Sequence, residues 1–241
     1  MKMDEKIQIV SPPQQLPSKV YEGMGEVHPS LPQMPFFVGV IGPRHSGKSV
    51  LLWNLLQKKK GMYGSVFHQD NIILYTPTKD KDPTLSSLKI HNMYGPPTDV
   101  EWLIDGIRKQ QQDFSEVDDM TGVLMVFDDI TQIRNAWKPL EMLSYVGRHD
   151  HIHVMYVSHK MSSIPRGIRT QTQQWIIFKP HEESEFQWVL DMFSKKSNRE
   201  EWQAALEKAW SIPHNFIYIN FEEKDKNLVY RSGFHDPLFT S

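Results

Sequence analysis

The segment Gly42-Pro-Arg-His-Ser-Gly-Lys-Ser49 constrains this chain more than any other. It spells G-x-x-x-x-G-K-S, a loop whose glycines let backbone N–H groups turn inward around phosphate oxygens. Its flanks fit the pattern. Phe36–Ile41 is short, apolar and β-prone, and Val50–Leu56 is apolar on nearly every side, as a buried helix would be. Strand, glycine loop and helix in that order place a positive helix N-terminus against the loop. The expectation is that Gly42, Pro43, Arg44, His45, Ser46, Gly47, Lys48 and Ser49 cradle the phosphates of ATP. Lys48 would reach the β- and γ-phosphates, and Ser49 would hold Mg²⁺.

A length of 241 residues suits one α/β domain, or one domain with an arm. The net charge of -2 gives no global nucleic-acid signature, so any DNA contact must come from local patches. With no cysteine, disulfides and thiolate metal sites are excluded. No apolar run is long enough for a transmembrane helix. Met1-Lys-Met-Asp-Glu-Lys6 leads into no long apolar stretch, so no secretory signal is expected.

Residues 1–34 carry Pro12, Pro13, Pro17, Pro29 and Pro32 without hydrophobic periodicity, which predicts an extended arm. Residues 35–241 then form the domain. Ile72–Thr76 reads as a second strand, and the stretch from Pro77 to Pro97 as mostly loop. Thr98-x-x-Glu101 has the form of a capping box, followed by an apolar stripe at Val100, Leu103, Ile104 and Ile107. Gly122–Phe127, Ile152–Val157 and Trp175–Phe178 are further strands. Gly122–Phe127 is continuously apolar, as in a parallel strand buried on both faces. Alternation of strands with helical segments predicts a mainly parallel sheet flanked by helices. Two amphipathic helices follow, striped by Phe186, Val189, Leu190 and Phe193, then by Trp202, Ala205, Leu206 and Ala209. Phe216–Phe221 and Leu228–Tyr230 predict a C-terminal β-hairpin. Lys58-Lys-Lys60 suits either a solvated helix C-terminus or a DNA contact.

Two strand ends carry the candidate chemistry. Asp128 closes the third apolar strand, where a carboxylate can bind Mg²⁺. Asp129 follows at once and is placed to polarise an attacking water as general base; a helix N-cap or surface acid is the other reading. Ser158-His159 ends the next strand, where ligands sit in open α/β sheets, and His159 could bond the γ-phosphate or the water. Arg148, between these strands, suits a surface salt bridge on spacing alone. His149, His151 and His153 share one face of an extended segment, but no cysteine or clear acidic partner completes a metal set. Arg166 and Arg169 suit a solvated loop, or contact with DNA or a neighbouring subunit.

Together GPRHSGKS at 42–49, VLMVFDD at 123–129, GRHDHIHV at 147–154 and VSH at 157–159 resemble the genome-packaging ATPases of large double-stranded DNA viruses and virophages. These form the poxvirus-type branch of the FtsK/HerA superfamily. The resemblance spans roughly residues 35–235 and implies a RecA-like P-loop core that hydrolyses ATP. It further implies a homo-oligomeric ring of five or six subunits that pumps double-stranded DNA, without sequence preference, into a capsid or portal vertex. By position, Lys48 and Ser49 bind phosphate and Mg²⁺, Asp128 is the Mg²⁺ acid, Asp129 activates water, and Arg148 becomes a finger acting in trans. The sensor position, usually glutamine, is His159, and Asp129 stands where many relatives carry glutamate. Such a protein belongs in the host cytoplasm or virus factory, with association with the virion open. Two other functions stay open: a P-loop nucleotide or nucleoside kinase, with Arg166 and Arg169 as a thin lid, and an ATP-binding scaffold without turnover.

Overall fold

The computed structural model describes residues 25–79, 81–113, 122–133, 135–195 and 198–239. Most of the proline-rich segment, residues 1–24, lies outside them. The strands are β1 (Phe37–Ile41), β2 (Ile72–Tyr75), β3 (Asn92–Tyr94), β4 (Val123–Phe127), β5 (Ile152–Ser158), β6 (Gln174–Phe178), β7 (Phe216–Asn220), β8 (Tyr230–Ser232) and β9 (Asp236–Pro237). The helices are α1 (Lys48–Leu55), α2 (Tyr63–Val66), α3 (Pro83–Ser86), α4 (Val100–Gln112), α5 (Trp137–Val146), α6 (Arg166–Gln171), α7 (Glu183–Phe193) and α8 (Arg199–Ala209).

The nine strands of the described residues form one sheet, ordered β3-β2-β4-β5-β1-β6-β7-β8-β9. From β3 to β6 every pairing is parallel, and β7, β8 and β9 add an antiparallel edge. This is the α/β P-loop architecture that the sequence predicts, with a hairpin at its C-terminal end. Strands β1, β2, β4, β5 and β6 are buried along their whole length, which explains why they read as unbroken apolar runs. Side chains alternate between two cores. Val38, Val40, Leu74, Leu124, Val126, Met155 and Val157 face α1, α2 and α3; Ile41, Tyr75, Met125, Phe127, Val154, Tyr156 and Ile177 face α4 to α8.

Several local expectations shift. Within the proline-rich segment, residues 25–34 pack on the domain. Val27 and Leu31 are buried in the core on the α1 side. The His28 N–H donates to Gly61 C=O at 2.9 Å, and the Tyr63 hydroxyl donates to Pro32 C=O at 2.8 Å. The stretch 77–97, read as loop, holds α3 and the edge strand β3, which pairs parallel to β2. Three half-buried residues give no visible period, so β3 is set by its neighbour. Helix α4 is capped by Asp99, whose carboxylate accepts from the Trp102 N–H at 2.9 Å, and not by Thr98. Thr98 C=O instead accepts from the Tyr75 hydroxyl at 2.7 Å. Lys58, Lys59 and Lys60 are exposed in turns beyond the end of α1. The second strand of the hairpin begins at Tyr230 rather than Leu228.

The run Gly147–Val154 is structural at two points. Buried Asp150 accepts from the Arg108 Nε–H at 2.7 Å and from Gln112 at 3.3 Å, clamping α4 to the start of β5. His153 is fully buried, its ring tilted against Phe36 and edge-on to Phe67 at 5.3 Å. Burial disfavours its charged form and pushes its pKa down to about 3. Among the described residues no cluster of three or more His, Cys, Asp or Glu could hold a metal, and the alternating histidines do not form one. No described helix is long and apolar enough to cross a membrane.

A depressed histidine pKa stabilises the fold above the unfolded value of 6.5, and that contribution is lost as pH falls through the window down to about 3. Urea titrations across this range should show stability falling by up to about 1.4 kcal/mol per pH unit from this one group. His153→Phe should flatten that slope while leaving the neutral-pH midpoint within reach of wild type.

Candidate functional site

The site lies where β1, β4 and β5 end together. Register fixes this: Ile41 is opposite Ser158 on β5, and Phe127 is opposite Tyr156. The Gly42 N–H continues the β1–β5 ladder by one bond, donating to Ser158 C=O at 3.1 Å. The Asp128 N–H continues the β2–β4 ladder in the same way, donating to Tyr75 C=O at 2.8 Å. Backbone pairing therefore carries the phosphate loop, the acidic pair and His159 to one edge of the sheet.

The loop needs its glycines. A Cβ on Gly42 would lie 2.7 Å from Ser46 Oγ and 2.8 Å from Phe178 Cβ. Gly47 caps α1 with φ 111, a conformation that L side chains rarely adopt. Lys48 opens α1 and is buried. Its Nζ donates to Pro43 C=O at 2.7 Å and faces His159 Nδ1 at 3.5 Å. Burial lowers the Lys48 pKa, and the Asp128 and Asp129 carboxylates oppose that effect. Ser49, in the same first turn, is half-buried.

Asp128 is buried, and its Oδ2 accepts from the Thr76 hydroxyl at 3.0 Å. Burial raises its pKa, the Thr76 bond lowers it, and the neighbouring Asp129 raises it. A buried carboxylate with one hydroxyl donor, at the same strand ends as the loop that leads to Ser49, fits a hard oxygen-seeking cation such as Mg²⁺. Asp129 has φ 50, in the left-handed region that aspartate tolerates better than most residues. That backbone turns its carboxylate back over the strand ends. Oδ1 lies 2.9 Å from His159 Nε2, and Oδ2 accepts from the Gln132 side chain.

His159 thus sits between Lys48 and Asp129. Ammonium has donors only, so Nδ1 is the acceptor toward Lys48, while Nε2 stands 2.9 Å from Asp129 Oδ1 without an aligned hydrogen bond to it. Arg148 is not part of this group within one chain. It is exposed at the start of β5, beside a cavity of about 320 Å³ shared with Tyr145, Gln173 and Glu222. A seven-residue strand separates it from the site, roughly 20 Å at ~3.3 Å per residue. Arg169 is committed elsewhere: it donates to Ile164 C=O and stacks over Trp188 at 5.0 Å. A lid arginine of a kinase would need that guanidinium free.

Three residues at the site escaped the sequence reading. Thr76 was legible only as the polar end of an apolar run. Gln132 depends on the turn that Asp129 makes. His214 belongs to the approach to β7, yet its Nδ1 lies 3.3 Å from Ser46 C=O. No periodicity could place it there.

A parallel sheet carrying G-x-x-x-x-G-K-S after its central strand, with an acidic pair two strands away, defines a P-loop nucleoside triphosphatase fold. Residues 27–207, well over half the chain, match the family model described as Poxvirus A32 protein, and the chain belongs to that family. No curated protein matches it. Among solved structures, it is similar to the genome packaging NTPase B204 of Sulfolobus turreted icosahedral virus 2 in complex with AMP. There the TM-score is 0.56 at 13% identity, over 86% of this chain and 100% of the other. B204 from Sulfolobus turreted icosahedral virus gives a TM-score of 0.55 at 14% identity, over 77% and 92%. ATPases 2 and 3 of EssC from Geobacillus thermodenitrificans give 0.56 at 12%, over 86% of this chain and 41% of that one. At these identities the likeness shows a common fold.

Because the Asp128 pKa is raised, the folded state loses stability as pH rises from 3.8 through the raised value. Asp128→Asn removes that charge and keeps an acceptor for Thr76. The variant should melt a few degrees above wild type at pH 7 without nucleotide, with the gap closing as pH approaches 3.8, while ATP turnover is lost. Thermal melts at several pH values check both signs.

Proposed function

We propose that this protein is an ATP-hydrolysing DNA translocase that packages double-stranded viral DNA into a preformed capsid as an oligomeric ring. The observation that carries the hydrolytic part is the placement of His159 between the two groups, Nδ1 at 3.5 Å from Lys48 Nζ and Nε2 at 2.9 Å from Asp129 Oδ1. Lys48 holds the phosphates; Asp129 accepts the proton of the attacking water and needs a position beside the γ-phosphate. One histidine spans both, so the phosphate-binding and water-activating groups meet in a single chain. Family membership and the shared fold with packaging NTPases support the viral packaging role.

Ser49 and Asp128 would hold Mg²⁺, which would supply neutralisation of the phosphate charge. His159, beside Asp129, would sense the γ-phosphate when Lys48 turns to it. Arg148, far from its own loop, would reach the site of a neighbouring subunit and stabilise the charge developing on the phosphoryl group. Grip on DNA would be electrostatic and independent of sequence. The segment 160–172 is the candidate contact, through exposed groups other than the committed Arg169.

ATPase rate should rise faster than linearly with protein concentration and increase with double-stranded DNA. Arg148→Ala and Asp129→Asn subunits should each be inactive alone and regain part of the activity when mixed. If both assemble normally and no ratio restores turnover, the shared site is wrong. Phosphate transfer to a nucleoside monophosphate, with no effect of DNA, would replace the translocase with a kinase.

A further inference from the structure

We propose that the C-terminal hairpin completes a seat for a purine base, with His214 and Phe216 as its aromatic wall; this rests on the phosphate-loop reading. A hollow of about 670 Å³ opens beside the loop, between Val50, Leu51 and Asn54 of α1, Phe178 at the end of β6, and His214 and Phe216 at the start of β7. Lys48 and Ser49 line the same hollow, so it is continuous with the phosphate site. Its size and its mostly apolar lining with a few polar groups suit a small organic ligand. Val50, on the first turn of α1, is 55% exposed, so its apolar side chain is open to whatever enters the hollow.

Contacts hold the wall in place. His214 has φ 60, and its Nδ1 faces Ser46 C=O at 3.3 Å. A carbonyl only accepts, so Nδ1 carries the hydrogen, and in the neutral ring Nε2 is an acceptor. A Cβ on Gly47 would lie 3.6 Å from His214 Cβ, so the histidine rests on the loop itself. Phe216 is braced by Phe178 at 5.4 Å and Phe234 at 4.8 Å. On the facing helix, Asn54 Nδ2 donates to Val50 C=O at 2.8 Å, which leaves its Oδ1 as an acceptor. Flat aromatic faces with acceptors at the margin suit a stacked heterocycle that carries N–H donors. Stacking is tolerant of base identity but grows with ring area, so two fused rings outbind one.

The test is isothermal titration, with magnesium, of ATP, UTP and inorganic tripolyphosphate into wild type, His214→Ala and Phe216→Leu. Wild type should bind ATP about tenfold more tightly than UTP. Both variants should lose about tenfold for ATP and approach the UTP value, with tripolyphosphate affinity unchanged. Phe216→Leu keeps the bulk of the half-buried ring and guards against misfolding in either variant. Tripolyphosphate binding with ATP no tighter than UTP overturns the base seat and leaves the phosphate loop standing. Equal loss of tripolyphosphate and ATP affinity in the variants overturns the base seat as well. Failure of wild type to bind both tripolyphosphate and ATP overturns the two readings together.

Discussion

Strand β5 lies between β1 and β4, and its backbone hydrogen bonds on both sides set the spacing of every group at the site. Neighbouring strands stand ~4.8 Å apart, so Lys48 after β1 and Asp129 after β4 start roughly 10 Å from one another. A side chain from the end of β5 falls midway, and His159 fills the position with one nitrogen toward each partner. A one-residue slip of β5 would turn His153 out of its aromatic pocket and reverse the buried face of the whole strand. The core therefore enforces the register, and the register enforces the chemistry.

The groups at the site also explain why it is poor as a packing solution. Asp128 is buried with one hydroxyl donor, and Lys48 is buried against a carbonyl and an imidazole. Burial pushes both toward their neutral forms. Two buried groups that each resist charging, so close to one another, fit a site meant to receive a polyanion and its cation. Asp129 adds a backbone in the left-handed region, held by the turn through Gln132.

What the sequence disclosed depended on whether the determining contacts were local. The place of the loop at 42–49 between strand and helix, the buried strands and the acidic pair at a strand end all follow from neighbours within a few residues, and the fold has them there. Asp99 took the cap from Thr98 because Tyr75, distant in sequence, claimed the Thr98 carbonyl. The edge strand β3 has three half-buried residues and exists through its pairing with β2. The packing of Val27 and Leu31, the stacking of Arg169 on Trp188 and the return of His214 to the loop are all long-range closures. Composition and period carry no record of them.

The carboxylate of Glu185, on α7, is buried and accepts from the N–H groups of Met161 and Ser162 and from the Ser162 hydroxyl. Lys160 is tied to Glu182 at the start of the same helix at 2.7 Å. The residues just after His159 are thus riveted to a rigid rod that ends in the Phe193 aromatic cluster. A displacement of the backbone at 161–162 must either strip a buried carboxylate of its donors or drag the rod along. Since the first course is costly, the segment after His159 and α7 are bound to move as one piece.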